Sequence, residues 1–278
     1  MVLDHLRPGD QRARWDTWLM PERFRLMRTS AEAFFPAPLS ARLRAALAAY
    51  GQRALGCSGV SPLSLSYYTE GCRHSWHCAA PHGPFSFALS LTRWEGRRFG
   101  GGEVMLLQPS AFETDETTLV DPVFNQLVVW DSRIPHGVRE VTGTGDPLEA
   151  RVVLQGWFTA PTRLCQGSLT AAQAAPVLDA CEAAVHSEIA ALELPPASGI
   201  VVLRLEVAGD SGAVTGLSWL VNTLEAPPPI SSKLGRTPPP WEVLDAVTEV
   251  VGGACAAACF PPSEDGGPSS ITLPFTFL

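Results

Sequence analysis

The sequence predicts an α+β protein with two parts: a sandwich or barrel of short strands with flanking helices, and a small α+β domain after it. Short apolar runs alternate with Gly- and Pro-rich turns between residues 63 and 158, which is typical of such strands. Apolar residues recur at helical spacing on both sides of that region. Hydrophobic residues make up 46% of the 278, enough for a sizeable core.

The first predicted helix covers residues 38–55. Leu39, Leu43, Leu47 and Tyr50 follow one another at spacings of four, four and three, which puts them on one face. Gly56 is the expected stop. Strands are then predicted at five places, namely residues 63–68, 85–92, 103–107, 126–130 and 151–158.

The C-terminal part begins with a helix that has Ser168 or Thr170 as its N-cap and ends before Pro195. A hairpin with strands at 200–207 and 213–220 is predicted around a Gly-Asp-Ser-Gly turn. A proline-rich loop (226–240), a short helix (241–251) and a last strand (271–277) complete this part. The predicted domains are residues 1–164 and residues 165–278.

Composition excludes several classes of function. The formal net charge of −8 offers no basic surface for nucleic acid, and no apolar run is long enough for a transmembrane helix. The charged N-terminal residues do not resemble a signal peptide. We therefore expect a soluble, cytoplasmic protein whose seven cysteines are reduced thiols.

Three residues in a fixed order carry the predicted chemistry. His77 is followed after a long gap by His136, and Arg151 comes shortly afterwards. Two histidines can hold Fe(II) while leaving open positions for a cosubstrate and dioxygen. An arginine suits a carboxylate of 2-oxoglutarate better than a lysine, because its planar fork binds both oxygens.

These residues lie in stretches that resemble the Fe(II)/2-oxoglutarate-dependent oxygenases, in particular their prolyl-hydroxylase-like branch. The similar stretches include Tyr68-x-x-Gly71, His77-x-Ala79-x-Pro81, Pro135-His136-x-Val138 and Arg151 to Phe158, within residues 60–160. The resemblance implies a double-stranded β-helix (jelly roll) in which His77 and His136 bind iron, Arg151 binds 2-oxoglutarate and Tyr68 assists. It also implies attack on an unactivated C–H bond, with a protein prolyl residue as one substrate and succinate as coproduct.

Ala79 departs from the family pattern, which has Asp or Glu at this position. Three interpretations stay open: a halogenase with chloride at the vacant position, a catalytically inactive binding module, and a hydroxylase into which the alanine was introduced. Asp131 and Glu103 are conceivable replacement carboxylates without support from spacing.

Each site residue also has a structural interpretation. Arg151 could form an ion pair on an edge strand, and Tyr68 could be barrel packing. Strand parity places Cys72, His74 and Cys78 on the outer face, opposite His77, and their spacing does not match a zinc site. His82 is expected in a loop that could line a substrate entrance.

The C-terminal residues 198–277 show a weaker resemblance to TonB C-terminal-like modules, which pair strands with partner peptides. This resemblance implies a peptide partner for that part of the chain. The alternative is an appended domain that covers a sheet edge or forms a dimer. The substrate itself, a small molecule or a protein, is not predicted by the sequence.

Overall fold

The computed structural model describes residues 15–108, 116–227 and 238–277. The N-terminal residues used in the signal-peptide prediction fall almost wholly outside these ranges, as do residues 228–237 of the predicted proline-rich loop. No helix within the described ranges is long and apolar enough to cross a membrane. The chain divides into two compact units, one with residues 1–48 and 59–160 and the other with residues 49–58 and 161–278.

The first unit is built on a large antiparallel sheet. In chain order its elements are β1 (Asp16–Met20), β2 (Phe24–Ser30), α1 (Ala31–Phe34), α2 (Ala37–Leu55), β3 (Cys57–Val60), β4 (Ser64–Tyr68), β5 (Arg73–His77), β6 (Phe85–Ser90), β7 (Val104–Gln108), β8 (Glu116–Val120), β9 (Leu127–Asp131), β10 (His136–Val138) and β11 (Arg151–Pro161). The last residues of α2, the first of β3 and the last of β11 belong to the second unit.

The strand order β8-β7-β10-β5-β2-β4-β11-β6-β9 crosses repeatedly between distant parts of the chain. This curled antiparallel sheet confirms the predicted jelly-roll class, with helices at its flank. One face of the sheet packs an apolar cluster that contains Leu26, Tyr68, Val138 and Val153. The functional residues lie along this face, because the crossovers bring β5, β10, β4 and β11 into one sheet.

The first predicted helix is confirmed as α2, and strands occur in each of the five predicted regions. The N-terminal hairpin of β1 and β2 was not predicted. Its turn contains Glu22 at a φ of 62°, a left-handed conformation that residues other than glycine seldom adopt. β1 is exposed along its whole length, so it lacks the alternation of buried and exposed residues that marks a half-buried strand.

The second unit contains β12 (Leu164–Gly167), α3 (Ala171–Ala191), β13 (Gly199–Val207), β14 (Val214–Asn222), α4 (Pro240–Ala256) and β15 (Ser269–Phe277). Its strands form the order β12-β15-β13-β14. Thr170 is the N-cap of α3, and Thr170 and Gln173 form a reciprocal capping box. The predicted hairpin (β13 and β14), both predicted helices (α3 and α4) and the last strand (β15) are confirmed. The domain boundary after residue 164 stays a prediction; the compact units divide at residues 160 and 161.

Candidate active site

His77 and His136 are direct neighbours across two antiparallel strands. His77 ends β5, His136 begins β10, and the two residues are register partners. Their ring centroids lie 4.3 Å apart at an interplanar angle of 54°. Trp130 packs edge-on against the His136 ring, with 5.1 Å between centroids. The long sequence gap between the two histidines is therefore closed by strand pairing.

Hydrogen bonds orient both rings in the same way. Nδ1 of His77 lies 2.9 Å from the Ser75 carbonyl oxygen, and Nδ1 of His136 lies 2.8 Å from the Ile134 carbonyl oxygen. A carbonyl accepts only, so each Nδ1 carries the proton and donates it. In this tautomer the lone pair of each ring is on Nε2, which is the arrangement of metal-binding histidines.

Burial keeps these imidazoles neutral. Desolvation lowers the pKa of His136 to about 4 and also lowers the pKa of His77. A neutral imidazole is the form that binds a metal ion. The residues fit a two-histidine metal site, although no group of three or more His, Cys, Asp or Glu in the described ranges is arranged to hold a metal.

A β-bulge turns His74 towards the same cavity. His136 and Val138 are two residues apart in β10, but their partners His77 and His74 are three apart in β5. The extra residue reverses the strand parity, so His74 stacks on His77 with 3.8 Å between centroids. A Cβ atom on Gly137 would lie 2.6 Å from the His74 carbonyl oxygen; glycine at this position makes the bulge possible.

The predicted outer-face location of His74 is therefore wrong. The parity argument assumed a regular strand from residue 72 to residue 78, and the bulge breaks that regularity. Burial, followed by the neighbouring His77, lowers the pKa of His74 to about 3. Of the other two residues in that prediction, Cys72 is buried and Cys78 is exposed at the cavity.

Ala79 lines the cavity beside His77. Only 4% of its surface is exposed, and its N–H donates to the Ser132 carbonyl oxygen at 2.8 Å. β5 ends at His77, so strand alternation does not place Ala79 on the same face as His77. It reaches the cavity because the chain turns there, before the 3₁₀ turn Ala80–His82.

The two conceivable replacement carboxylates, Asp131 and Glu103, both lie outside the cavity lining. Asp131 binds Arg133, with 2.7 Å between Oδ2 and Nη2 and a second bond from the Arg133 N–H to Oδ1 at 2.8 Å. Glu103 is buried, and its Oε1 lies 3.8 Å from Nη1 of Arg139. Neither residue lines the cavity. Among the described lining residues there is no Asp or Glu.

Arg151 is one of the most deeply buried side chains in the described part of the protein, with 1% exposure. It begins β11, opposite Tyr68 of β4, and its guanidinium carbon lies 4.6 Å from the centre of the Tyr68 ring. Burial lowers the pKa of Arg151, whereas Tyr68 and Glu103 raise it. Burial raises the pKa of Tyr68, so its hydroxyl stays protonated at neutral pH.

The Nε and Nη1 atoms of Arg151 are buried and have no hydrogen-bond partner in the described structure. Buried cations are almost always paired, so this side chain is set up for an anion. The alternative of an ion pair on an edge strand is wrong, because β11 lies between β4 and β6. Two tryptophans of the lining, Trp130 and Trp157, also have unpaired buried indole N–H groups.

Together these side chains surround a cavity of about 240 Å³. It is somewhat smaller than the ~300–1,000 Å³ of drug-sized ligand pockets. His82 lines it and stacks on Trp157 with 4.5 Å between centroids. A further arginine, Arg28 of β2, also lines it and was missed by sequence reasoning. The two-residue repeat Phe24-x-Leu26-x-Arg28 was the signal that could have found it.

The geometry can be compared with known proteins. A family model described as "2OG-Fe(II) oxygenase superfamily" matches residues 63–159, which include both histidines, Ala79 and Arg151. This segment is similar to that superfamily. The resemblance seen in the sequence is thus confirmed over the central part of the chain. No curated protein matches the chain significantly.

Two solved structures are similar to about half of this chain. One is an oxidoreductase of the 2OG-Fe(II) oxygenase family from Burkholderia pseudomallei, with 15% identity, a TM-score of 0.42, and coverage of 56% of this chain and 76% of that chain. The other is a Pseudomonas putida prolyl-4-hydroxylase, with 20% identity, a TM-score of 0.39, and coverage of 52% and 77%.

Proposed function

We propose that the protein is an Fe(II)/2-oxoglutarate-dependent enzyme that attacks an unactivated C–H bond of its substrate. The observation that carries this proposal is Arg151, a buried guanidinium whose Nε and Nη1 have no hydrogen-bond partner in the described structure, in the same cavity as the His77–His136 pair. When bound, an iron–2-oxoglutarate centre would supply the oxidising chemistry, with dioxygen as the oxidant and 2-oxoglutarate converted to succinate and CO2. The chain supplies the ligands, the anion site and the walls of the cavity.

In this proposal His77 and His136 hold the iron through their Nε2 atoms, since both Nδ1 atoms are committed to backbone carbonyls. Arg151 binds the distal carboxylate of 2-oxoglutarate by charge-assisted hydrogen bonds. Tyr68 lies against the Arg151 guanidinium and contributes a protonated hydroxyl. Trp130 holds the His136 ring in place and excludes water from one side.

A carboxylate ligand is missing from this set, and we propose that a small ligand from solution takes its place beside Ala79. Chloride is one candidate for this ligand, and the charges around the cavity favour it. The lining contains Arg28 and Arg151 but, within its described residues, no acidic side chain. Such surroundings favour an anion. With chloride there the enzyme would halogenate; with water there it would hydroxylate, a prolyl residue being one substrate to include in assays.

The test is an anaerobic titration with Fe(II) and 2-oxoglutarate, with and without chloride, while the metal-to-ligand absorption band is recorded. We expect a band in the wild type and none in His136→Ala. His186→Ala is the matched control, because His186 lies in the second unit against Phe277. A band that shifts with chloride favours halogenation. A band that is indifferent to chloride favours hydroxylation.

A binding module without catalysis is the competing hypothesis from another class. It predicts no band, and no succinate above the level given by His136→Ala when oxygen is admitted. Succinate formation above that level, dependent on Fe(II), would exclude the binding-module hypothesis. Wild-type protein that binds neither iron nor 2-oxoglutarate would refute the proposed enzyme.

A further inference from the structure

Arg28 is a second cation in the cavity that the proposed chemistry leaves unused. It lies on β2 opposite Ser66 of β4, and its Nε donates to the Ser66 hydroxyl at 3.3 Å. The guanidinium carbon lies 4.7 Å from the centre of the Trp18 ring. The indole covers one face of the guanidinium group, and Arg28 also lines the cavity.

The charge of Arg28 has no counterion in the described structure. The ion pairs of the described residues involve Arg44, Arg73, Arg98, Arg133, Arg139 and Arg163 but not Arg28. Its register partner across β1 is Asp16, an exposed residue that does not line the cavity. Burial lowers the pKa of Arg28, and the nearby Tyr68 opposes this shift.

Strand geometry separates Arg28 from Arg151. Arg28 pairs with Ser66, and Arg151 pairs with Tyr68, on opposite sides of β4. Two residues along β4 span about 6.7 Å, and two strand spacings span about 9.6 Å. The two Cα atoms are therefore about 12 Å apart by this estimate, with both side chains on the cavity face. The two arginines therefore reach the cavity from the strands on either side of β4.

We propose that Arg28 binds a carboxylate of the organic substrate, whose apolar body lies against Trp18, Phe24 and Leu26 of the same lining. The substrate class is a small carboxylic acid, which the cavity of about 240 Å³ limits in size. The assignment of this acid as the substrate rests on the proposed function, in which Arg151 and the iron bind the two ends of 2-oxoglutarate. The carboxylate site itself is testable without turnover.

The experiment uses 3-phenylpropionate and its neutral amide, 3-phenylpropanamide, as probes. Binding to full-length protein loaded anaerobically with Fe(II) and 2-oxoglutarate is measured by calorimetry. The variants are Arg28→Gln and the charge-conserving Arg28→Lys. Arg97→Gln is the matched control, because Arg97 also stacks on a tryptophan, Trp94, at 3.5 Å but does not line the cavity.

We expect the wild type to prefer the acid over the amide by about 10- to 100-fold, the range of a charge-assisted hydrogen-bond pair. Arg28→Gln should remove this preference, Arg28→Lys should retain part of it, and Arg97→Gln should leave it intact. Affinity for 2-oxoglutarate should stay within about twofold of the wild type in all three variants. Thermal unfolding of each variant verifies that the comparison is made on folded protein.

Equal affinities of the wild type for acid and amide, or no binding of the acid, would overturn the proposal. A preference that survives in Arg28→Gln would do the same. If Arg28→Gln weakens 2-oxoglutarate binding instead, Arg28 belongs to the cosubstrate site and the substrate assignment is wrong. Failure of the proposed function looks different: the wild type would not bind 2-oxoglutarate, while the Arg28-dependent preference for the acid would remain.

Discussion

Replacing Arg151 by methionine separates a ligand-binding role from a structural one. Arg151 has 1% exposure, and its Nε and Nη1 atoms are buried without partners. Each unsatisfied buried polar group costs about 1–3 kcal/mol, and a charged group costs more. Methionine has a similar length and no charge, so it removes this penalty. It also removes the contact with Tyr68, worth about 0.5–2 kcal/mol.

The ligand-free variant should therefore be at least as stable as the wild type, by about 0 to 3 kcal/mol in the free energy of unfolding. Binding of 2-oxoglutarate should respond in the opposite direction. Truncating one partner of a buried charge pair costs about 2–5 kcal/mol, which weakens affinity about 30- to 5,000-fold. A preformed anion site therefore predicts that the variant keeps or gains stability but loses affinity for 2-oxoglutarate.

Both quantities can be measured on the same samples. Urea unfolding gives the stability with and without Fe(II) and 2-oxoglutarate, and anaerobic calorimetry gives the dissociation constant. At 100 times that constant, 2-oxoglutarate should stabilise the wild type by about 2.7 kcal/mol, and the variant by less than about 0.9 kcal/mol. Arg98→Met is the control, because Arg98 is 80% exposed and pairs with Glu149.

The reasoning would be refuted by a variant that loses several kcal/mol of stability without ligand and still binds 2-oxoglutarate with wild-type affinity. Arg151 would then be a structural residue, and the anion site would lie elsewhere in the cavity. Loss of both properties in Arg98→Met as well would point to a general effect of arginine removal.

Three further predictions concern the metal site. Ala79→Asp should destabilise the metal-free protein by about 1–3 kcal/mol through burial of a carboxylate. The same variant should bind Fe(II) more tightly, and chloride should no longer affect its absorption band. Unchanged metal affinity would contradict this prediction. His77→Ala and His136→Ala should each lose Fe(II) binding in calorimetry, whereas His74→Ala should retain it, because His74 stacks on His77 and is not one of the proposed ligands. Stability of the metal-free protein should fall as the pH drops from about 7.5 to 5: burial lowers the pKa of His74 to about 3 and of His136 to about 4, so the unfolded chain, with an ordinary value of about 6.5, takes up protons first. Protonation of each histidine in the unfolded chain then lowers the free energy of unfolding by up to about 2 kcal/mol at pH 5. Urea unfolding of His74→Ala should therefore show a shallower pH dependence.

The sequence predicted the elements whose signals are local. The α3 helix was recognised from its apolar spacing and its cap, because Thr170 and Gln173 interact within one turn. The regions of the central strands were recognised from the turns between them. The order of the strands was not predictable in this way, because pairing of β5 with β10 joins residues far apart in the chain.

The candidate site was predicted in part for the same reason. His77, His136 and Arg151 stand in motifs, and the structure brings them into one cavity. His74 was misplaced because the bulge depends on Gly137 of another strand, and parity within β5 carries no information about that strand. Arg28 was missed because a lone charged residue in a strand normally faces solvent. Both failures arise where a non-local contact overrides a local rule.

The scarcity of negative charge in the cavity lining has a consequence for the order of loading. A divalent cation that approaches two arginines meets repulsion that no described acidic lining residue offsets. A dianionic cosubstrate offsets the positive charge of the arginines, so the metal ion and the cosubstrate should each tighten the binding of the other. Thermodynamic reciprocity requires the two enhancements to be equal. Metal occupancy would then follow the cellular supply of the dianion, and the protein would hold its iron firmly only when the cosubstrate is abundant.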